Sequence, residues 1–509
     1  MNDTAWTAPG PGEWTRLADH FDRPFTAEYE RIFAASFEPG MEAYATLVGL
    51  PVRTVALRTV HGYPFLHPAP LTGPDVSRMP PHALVWLFAR LTPAYRRRNR
   101  LAERALRERP WRDIARTYFE VDRPAAIAEN EALTARDPAG MTDAELAHHL
   151  DDCEALAMAG YRRHFELHAT DMFPVGVYLA ACQRFGIDVA VALDLVVDGI
   201  ADVRAAMEHA SGFDQCIVGG YDLDRPRLSE CGQTASNIAG MAPLMAGEFA
   251  SRHARVDDLV PDAEREHFDI LLADARAVHP VRDDNGLVFG AWRIGLLRRA
   301  YLEAGARLDT DLVVEATVPE LVAALTDRSA LDLDELSRRA DERNHWASVD
   351  VPLRLGPDSL PPFGAFPEAL RTVLEAQLLL RDLSERATVS DLEGTGIGMQ
   401  SATGIARVVT DATDAINRIE PGDILVAKVT SPAFNAVLPL AAALVVEHGG
   451  VMSHAALVAR EYGIPAIVGV RNATRNIADG ERVQVDAATG RIVLLDVHRS
   501  VEAFPPAGA

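Results

Sequence analysis

Lysine is almost absent from this 509-residue chain: of its 50 basic residues only Lys428 is a lysine, and the rest are arginines. Nucleotide-triphosphate sites commonly use lysine as a compact point charge on the phosphates, as the P-loop does. No GxxxxGK[ST] occurs, and the first 400 residues hold no lysine, so no self-contained ATP site is expected there. A GC-rich coding sequence exchanges Lys for Arg and accounts for most of the bias, but it does not supply a missing phosphate clamp. Cysteine is scarce too. Cys153, Cys182, Cys216 and Cys231 stand far apart without a CxxC pair, which fits reduced, buried thiols better than disulfides or a zinc site. No apolar run approaches the roughly 18 residues of a membrane span. Met1–Pro11 is polar, with no basic stretch leading into an apolar one, so a cytoplasmic protein without a secretory signal is expected. The formal net charge of −23 disfavours non-specific binding to nucleic acid or anionic membrane.

What is present divides the chain. Its length suggests two to four domains at roughly 100–200 residues each. Residues 1–387 read as mainly helical. Thr142 with Glu145 three residues later forms a capping-box signal, and apolar residues recur at helical spacing in Ile200–Ala210, Glu264–Ala277 and Ala291–Arg307. Pro and Gly clusters at Pro51–Tyr63, Pro68–Pro81 and Leu355–Pro367 read as loops. Residues 388–404, rich in Gly, Ser and Thr, have the composition of a flexible connection. From 405 to 497 the texture changes. Ile405–Val409, Asp423–Val429, Ala442–Val446, Ala466–Val470, Arg482–Val485 and Arg491–Leu495 are short β-branched runs bounded by turn residues and read as strands. Ser431–Ala441 and Ser453–Tyr462 read as helices, and 498–509 is a tail. The expected fold class is therefore multidomain: a mainly α-helical N-terminal region plus a C-terminal α/β domain.

The informative stretch is Glu447-His448-Gly449-Gly450-Val451-Met452-Ser453-His454, continuing Ala455-Ala456-Leu457-Val458-Ala459-Arg460-Glu461-Tyr462-Gly463-Ile464-Pro465-Ala466. A buried strand ends in paired glycines, and Ser453 is a good N-cap. The helix then begins at His454 and stops at Gly463. The unpaired N–H groups and positive end of the helix dipole would lie beside the imidazole, a ready-made site for an anion attached to it. Gly449 and Gly450 would let the backbone approach a phosphate. Ser453 and Arg460 could reach its oxygens. Imidazole, with a reference pKa of about 6.5, keeps a large neutral fraction near pH 7 and can attack phosphorus without a strong base.

The pattern GG-x-x-SHAA-x-x-AREYGIPA resembles the phosphohistidine swivelling domain of the PEP-utilising enzymes, a family that includes phosphoenolpyruvate synthase, pyruvate phosphate dikinase and rifampin phosphotransferase. Gly404-Ile405-Ala406-Arg407-Val408-Val409, Pro421-Gly422-Asp423-Ile424-Leu425-Val426, Thr430-Ser431-Pro432, and Asp479-Gly480 through Asp486 to Gly490 follow the family's order. The resemblance covers roughly residues 395–497 and implies that His454 is the phosphorylated histidine. Ser453 stands where the family often has Thr, which keeps the hydroxyl. More loosely, His20-Phe21-Asp22-Arg23-Pro24-Phe25, Gly62-Tyr63, Asp284-Asn285, Trp292-Arg293 and Leu296-Leu297-Arg298 resemble the helical acceptor-binding domain of rifampin phosphotransferase-like proteins. That layout implies a phosphotransferase component. His454 would carry phosphate to a small-molecule hydroxyl from a separate ATP-grasp protein, which would use ATP and Mg2+, with no cofactor bound by this chain. No ATP-grasp segment is expected before the helical region. With about a dozen residues after the swivelling domain and no cysteine after Cys231, no PEP-binding barrel is expected either. Two other readings stand beside it: a ligase that activates its acceptor by phosphorylation, and a non-catalytic regulatory or scaffold relative.

His164 and His168, four apart on one helical face, have a spacing that can bind metal, but Glu166 is out of place for HExxH. No metal is expected, and the pair is assigned with Asp284, Trp292 and Arg293 to a possible acceptor pocket. His148 and His149 read as a solvated helix surface. Tyr95-Arg96-Arg97-Arg98-Asn99-Arg100, continuing through Arg104, Arg107 and Arg109, reads as an exposed salt-bridged face or a docking surface. His448 reads as a loop hydrogen-bonder. The acceptor and the oligomeric state are not encoded in any motif.

Overall fold

Why does the chain after Thr26 form a helix that lasts 22 residues? The Thr26 side chain accepts from the Tyr29 N–H, and Gly49 ends the helix in the left-handed region at φ 74°. This helix, α1 (Ala27–Val48), turns Tyr29, Ile32, Phe33, Phe37, Met41, Tyr44 and Val48 inward at helical spacing. The computed structural model describes residues 6–18, 20, 21, 23–74, 81–197, 215–217, 222–231, 256, 259–357, 363–385, 392–430, 434, 435 and 437–495. Further helices that matter to the site are α2 (Pro93–Glu108), α3 (Asp143–Asp171), α4 (Phe173–Arg184), α5 (Val189–Val197), α6 (Asp262–Asn285), α7 (Trp292–Leu308), α8 (Glu368–Glu385) and α9 (His454–Tyr462). The capping box read from Thr142 and Glu145 is present at the start of α3. The helices read at Glu264–Ala277 and Ala291–Arg307 are parts of α6 and α7. Ile200–Ala210 and the tail 498–509 lie outside the described residues.

The N-terminal region is not helical throughout. β1 (Trp14–Arg16), β2 (Val52–Val60), β3 (Tyr63–Pro70) and β4 (Arg354–Leu355) form an antiparallel sheet in the order β2-β3-β1-β4. One of the clusters read as loops, Pro51–Tyr63, is thus largely strand, and a second, Pro68–Pro81, begins with the last three residues of β3. Val52-Arg53-Thr54-Val55-Ala56-Leu57-Arg58-Thr59-Val60 is β-branched and alternating, and His61 and Gly62 both take positive φ (53° and 78°), the two-residue turn that matches strand twist. The prolines masked a hairpin whose alternation was on view.

The C-terminal region holds a seven-stranded sheet in the order β11-β10-β6-β7-β8-β9-β5. Its strands are β5 (Thr395–Ile397), β6 (Ser401–Val409), β7 (Ile424–Ala427), β8 (Ala443–Val446), β9 (Ala466–Val468), β10 (Arg482–Asp486) and β11 (Arg491–Leu494). β6, β7, β8 and β9 are parallel neighbours. β7 and β8 are buried at every position, which explains their continuous apolar runs. Of the stretch read as a flexible connection over 388–404, residues 388–391 lie outside the described residues and seven of the other thirteen are sheet: Thr395–Ile397 pairs with β9 and Ser401–Gly404 with β10. Its glycines serve close backbone approach, since a Cβ at Gly396 would overlap the Ala487 carbonyl and one at Gly404 the Gly422 carbonyl. The helix read at Ser431–Ala441 is, in its described part, a 3-10 turn at Leu438–Leu440. A proline inside that turn removes a donor.

Candidate functional site

The carboxyl ends of parallel strands are where α/β sheets present their loops for chemistry. β8 ends at Val446, and the loop of Glu447 to Met452 carries the chain into α9. Gly449 is required here: it has φ 116°, and a Cβ would come 2.7 Å from that of Ser453. The Ser453 N–H donates to the Gly450 carbonyl at 3.0 Å. The Ser453 hydroxyl caps α9 by accepting from the Ala456 N–H at 3.4 Å, and Gly463 ends the helix at φ 64°. Glu447 braces the loop from below, accepting from the backbone N–H (2.8 Å) and the hydroxyl of Thr474. His454 is thereby fixed as the first residue of α9, where helical N–H groups lack intrahelical partners.

The imidazole of His454 is 8 % exposed. Nδ1 is 3.0 Å from the Thr430 hydroxyl, itself buried. Nε2 is buried and, among the described residues, has no hydrogen-bond partner. Burial pushes the ring's pKa from 6.5 down to about 3, the positive charge of Arg282 pushes it the same way, Glu461 opposes, and His20 adds a small lowering. The ring is neutral here.

Arg282 and His20, which both lower the ring's pKa, belong to the helical region, so the ring carries a pH dependence for the contact between the two regions. Where the regions part, the ring regains its ordinary pKa near 6.5, so between pH 6.5 and 3 the separated form binds the extra proton. The packed arrangement is therefore expected to lose about 1.4 kcal/mol per pH unit as pH falls through that window. Small-angle scattering at pH 7 and pH 5 checks this; expansion at pH 5 that His454→Gln suppresses is the expected result.

α9 and the loop before it carry much of the contact, and Arg225 adds an ion pair with Asp411 at 3.7 Å. Met452 and Leu457 join the hydrophobic core of the helical region. Arg460 donates through Nε to Asp194 on α5 at 3.2 Å, both side chains being under 9 % exposed. The Glu461 carboxylate lies 2.7 Å from His279 Nε2 on α6. Arg460 thus differs from its expected phosphate-binding role. Its Nη1 donates to the Val451 and Ala456 carbonyls at 2.7 and 3.1 Å, and with Asp194 its charge is committed to holding the loop and the helical region. Gly449 and Gly450 shape the same loop, and Ser453 spends its hydroxyl on the cap.

Of the residues assigned to an acceptor pocket, the structure brings two together. His164 Nδ1 meets Asn285 Oδ1, the His164 and His168 rings meet edge-on with centroids 4.8 Å apart, and His168 Nδ1 is 3.4 Å from Asp171 Oδ2. Burial lowers the His164 pKa to about 3; neighbouring His168 and His20 also lower it, while Asp171 and Asn285 act against them. The other three are structural. Asp284 accepts from Arg123 Nε at 2.8 Å and from the Tyr118 hydroxyl. Trp292 is 1 % exposed, with Nε1 donating to Thr134. Arg293, 3 % exposed, donates to Asn130, Glu129 and the Leu156 carbonyl. The polar atoms of Trp292 and Arg293 are consumed in packing α7, and those of Asp284 in binding Arg123 and Tyr118, so Trp and Arg at helical spacing here mean core. His149, read as surface, is buried beside Cys153. Arg96, Arg97, Arg100, Arg104 and Arg107 lie along α2, whose Arg104 pairs with Glu108. Among the described residues, no group of three His, Cys, Asp or Glu could hold a metal ion, and no helix is long and apolar enough to cross a membrane.

Reading the sequence missed Thr430, Arg282, His279 and Asp171. Thr430 stood inside the quoted Thr430-Ser431-Pro432 and was legible as a conserved-order hydroxyl only by resemblance. The others are joined to the site purely by tertiary packing.

Comparison with known proteins places these features. Residues 419–490 match the family described as PEP-utilising enzyme, mobile domain. The chain is similar to the uncharacterized phosphotransferase YvkC of Bacillus subtilis, with 32% identity over 31% of this chain and 19% of that protein. It is 39% identical to the phosphoenolpyruvate synthase of Pseudomonas aeruginosa over 25% of this chain and 16% of the relative. With the rifampicin phosphotransferase of Streptomyces sviceus the figures are 45% identity, 20% and 12%. The chain thus spans a fifth or less of the length of each of these relatives.

Proposed function

We propose that His454 accepts a phosphoryl group on Nε2 and passes it to a hydroxyl of a small molecule held against the helical region. The observation that carries this reading is the neutral ring at the start of α9, with Nδ1 tied to Thr430 and Nε2 buried without a partner among the described residues. With Nδ1–H donated to the Thr430 oxygen, Nε2 keeps its lone pair for phosphorus. A phosphoryl group there lies at the N-terminus of α9, where backbone N–H groups and the helix dipole favour negative charge. The match to the mobile domain of PEP-utilising enzymes, and the phosphotransferase names of the relatives, support the same chemistry.

Packed against α5 and α6, His454 faces the helical region, which is the arrangement for handing the group on. Loading requires the domain to swing away, towards a separate ATP-grasp protein that uses ATP and Mg2+. The acceptor class is a small-molecule alcohol.

The test is intact-protein mass spectrometry at mildly alkaline pH, where phosphohistidine survives. Incubation with ATP and an ATP-grasp protein is expected to add one phosphoryl mass, and ATP alone none. No gain with any ATP-grasp protein or with phosphoenolpyruvate, in folded protein, rejects the reading.

A further inference from the structure

At the end of α6 lies a polar cluster that the phosphocarrier role does not use. Asn285, wholly buried at the end of α6, has its amide orientation fixed by three acceptors: Nδ2 donates to the Val281 carbonyl at 2.6 Å, the Arg282 carbonyl at 2.9 Å and Asp171 Oδ2 at 3.3 Å. Its Oδ1 therefore faces His164 Nδ1 as an acceptor. An oxygen cannot donate, so Nδ1 must carry the proton and His164 Nε2 must carry the lone pair. Among the described residues that Nε2 has no hydrogen-bond partner. Among the described residues, Asp171 Oδ1 is buried without a partner, so the cluster holds unused hydrogen-bonding capacity.

The helices show which way the cluster faces. On α6, His279, Arg282 and Asn285 follow one another at intervals of three residues, spanning about 9 Å. On α9, Glu461 and His454 are seven residues, or about 10 Å, apart on one face. His279 touches Glu461 at one end of this pair of rails. At the other end Arg282 acts on the His454 ring, and His20 acts on both His454 and His164. The start of α9, with His454, and the end of α6, with Asn285 and its partner His164, thus lie at the same end of the two helices, with Arg282 between them along α6.

We propose that His164 is the proton acceptor for the attacking hydroxyl, an inference that rests on the phosphoryl-transfer reading of His454. The hydroxyl oxygen forms its bond to phosphorus as the P–Nε2 bond of His454 breaks and its electron pair returns to Nε2. The hydroxyl proton moves to His164 Nε2, making an imidazolium that releases the proton to solvent. Asn285 holds the tautomer that makes this possible, and Arg282 stands where its charge meets the departing phosphoryl oxygens. Because phosphoryl transfer passes through a loose transition state, positioning the hydroxyl is the larger part of this role.

The test uses the full chain, loaded at His454 with potassium phosphoramidate, and water as the acceptor. Loss of the phosphoryl group is followed by intact mass. His164→Ala is expected to load as the wild type does and to lose the group at least about tenfold more slowly; an unchanged rate overturns the proposal. Nitrogen-15 NMR of the wild type gives a second judgement that does not depend on the variant's folding. A proton on Nδ1 and a bare Nε2 on His164 are expected, and a proton on Nε2 overturns the proposal. Failure of the wild type to load at His454 counts instead against the phosphocarrier reading, and the tautomer still judges His164.

Discussion

Replacing His454 by alanine is expected to abolish phosphoryl uptake and transfer while leaving the protein folded. The first half follows from chemistry. An alanine side chain has no lone pair to form the phosphoramidate, and loss of a nucleophile in comparable covalent mechanisms costs on the order of 10⁶-fold. His448, six residues earlier, is no substitute, because it sits exposed in the loop with its N–H bonded to the Lys428 carbonyl and lacks both the helix start and the Thr430 contact. The second half follows from where the residue sits. Position one of a helix tolerates alanine well, and the Ser453 cap and Gly463 terminus remain. The Thr430 hydroxyl loses its partner, a cost of about 1–3 kcal/mol, against a total stability of about 5–15 kcal/mol for a typical domain. Intact mass before and after loading, with circular dichroism as the check on folding, decides it. A folded His454→Ala protein that still gains a phosphoryl mass and forms product sinks the assignment.

The contrast between what the sequence disclosed and what it withheld is a matter of range. The strand, paired glycines, Ser453 cap, His454 and Gly463 stop lie within one continuous segment, so local rules of capping and backbone freedom located the histidine proposed to carry the phosphoryl group. The buried runs of β7 and β8 were legible for the same reason. Residues 52–70 were misread because Pro and Gly were weighed above the alternation of Val and Thr, and the Gly-rich entry at 394–404 because glycine serves close approach as readily as flexibility. The pairing of Arg460 with Asp194 spans 266 positions, and His279 with Glu461 spans 182; no periodicity in a single chain encodes such contacts. Arg460 illustrates the cost. Two turns below His454 it looked like a phosphate ligand, and only the fold shows a buried aspartate claiming it.

That buried aspartate gives the second large effect: Asp194→Ala is expected to release the C-terminal domain from the helical region. Arg460 is 4 % exposed and Asp194 6 %, so removing the carboxylate leaves a cation in a dry interface. Breaking one partner of such a pair costs about 3–5 kcal/mol. The penalty falls on the packed arrangement and not on either region's own fold, because Arg460 keeps its bonds to Val451 and Ala456 and regains water once the surfaces part. The shift in the packed-to-parted ratio is then roughly two to three and a half orders of magnitude. Small-angle scattering should show expansion, and amide exchange should rise on α5 and on the exposed face of α9 while the sheet stays protected. Loading of His454 should persist while transfer towards the helical region slows, which separates this variant from His454→Ala. The double substitution Asp194→Leu with Arg460→Leu should recover part of the packing, since apolar replacement of a buried pair is often neutral or better. Unchanged scattering and exchange in Asp194→Ala would mean that the other contacts, the apolar packing of Met452 and Leu457 with the His279–Glu461 and Arg225–Asp411 pairs, suffice, and that the Arg460–Asp194 pair orients the interface without holding it.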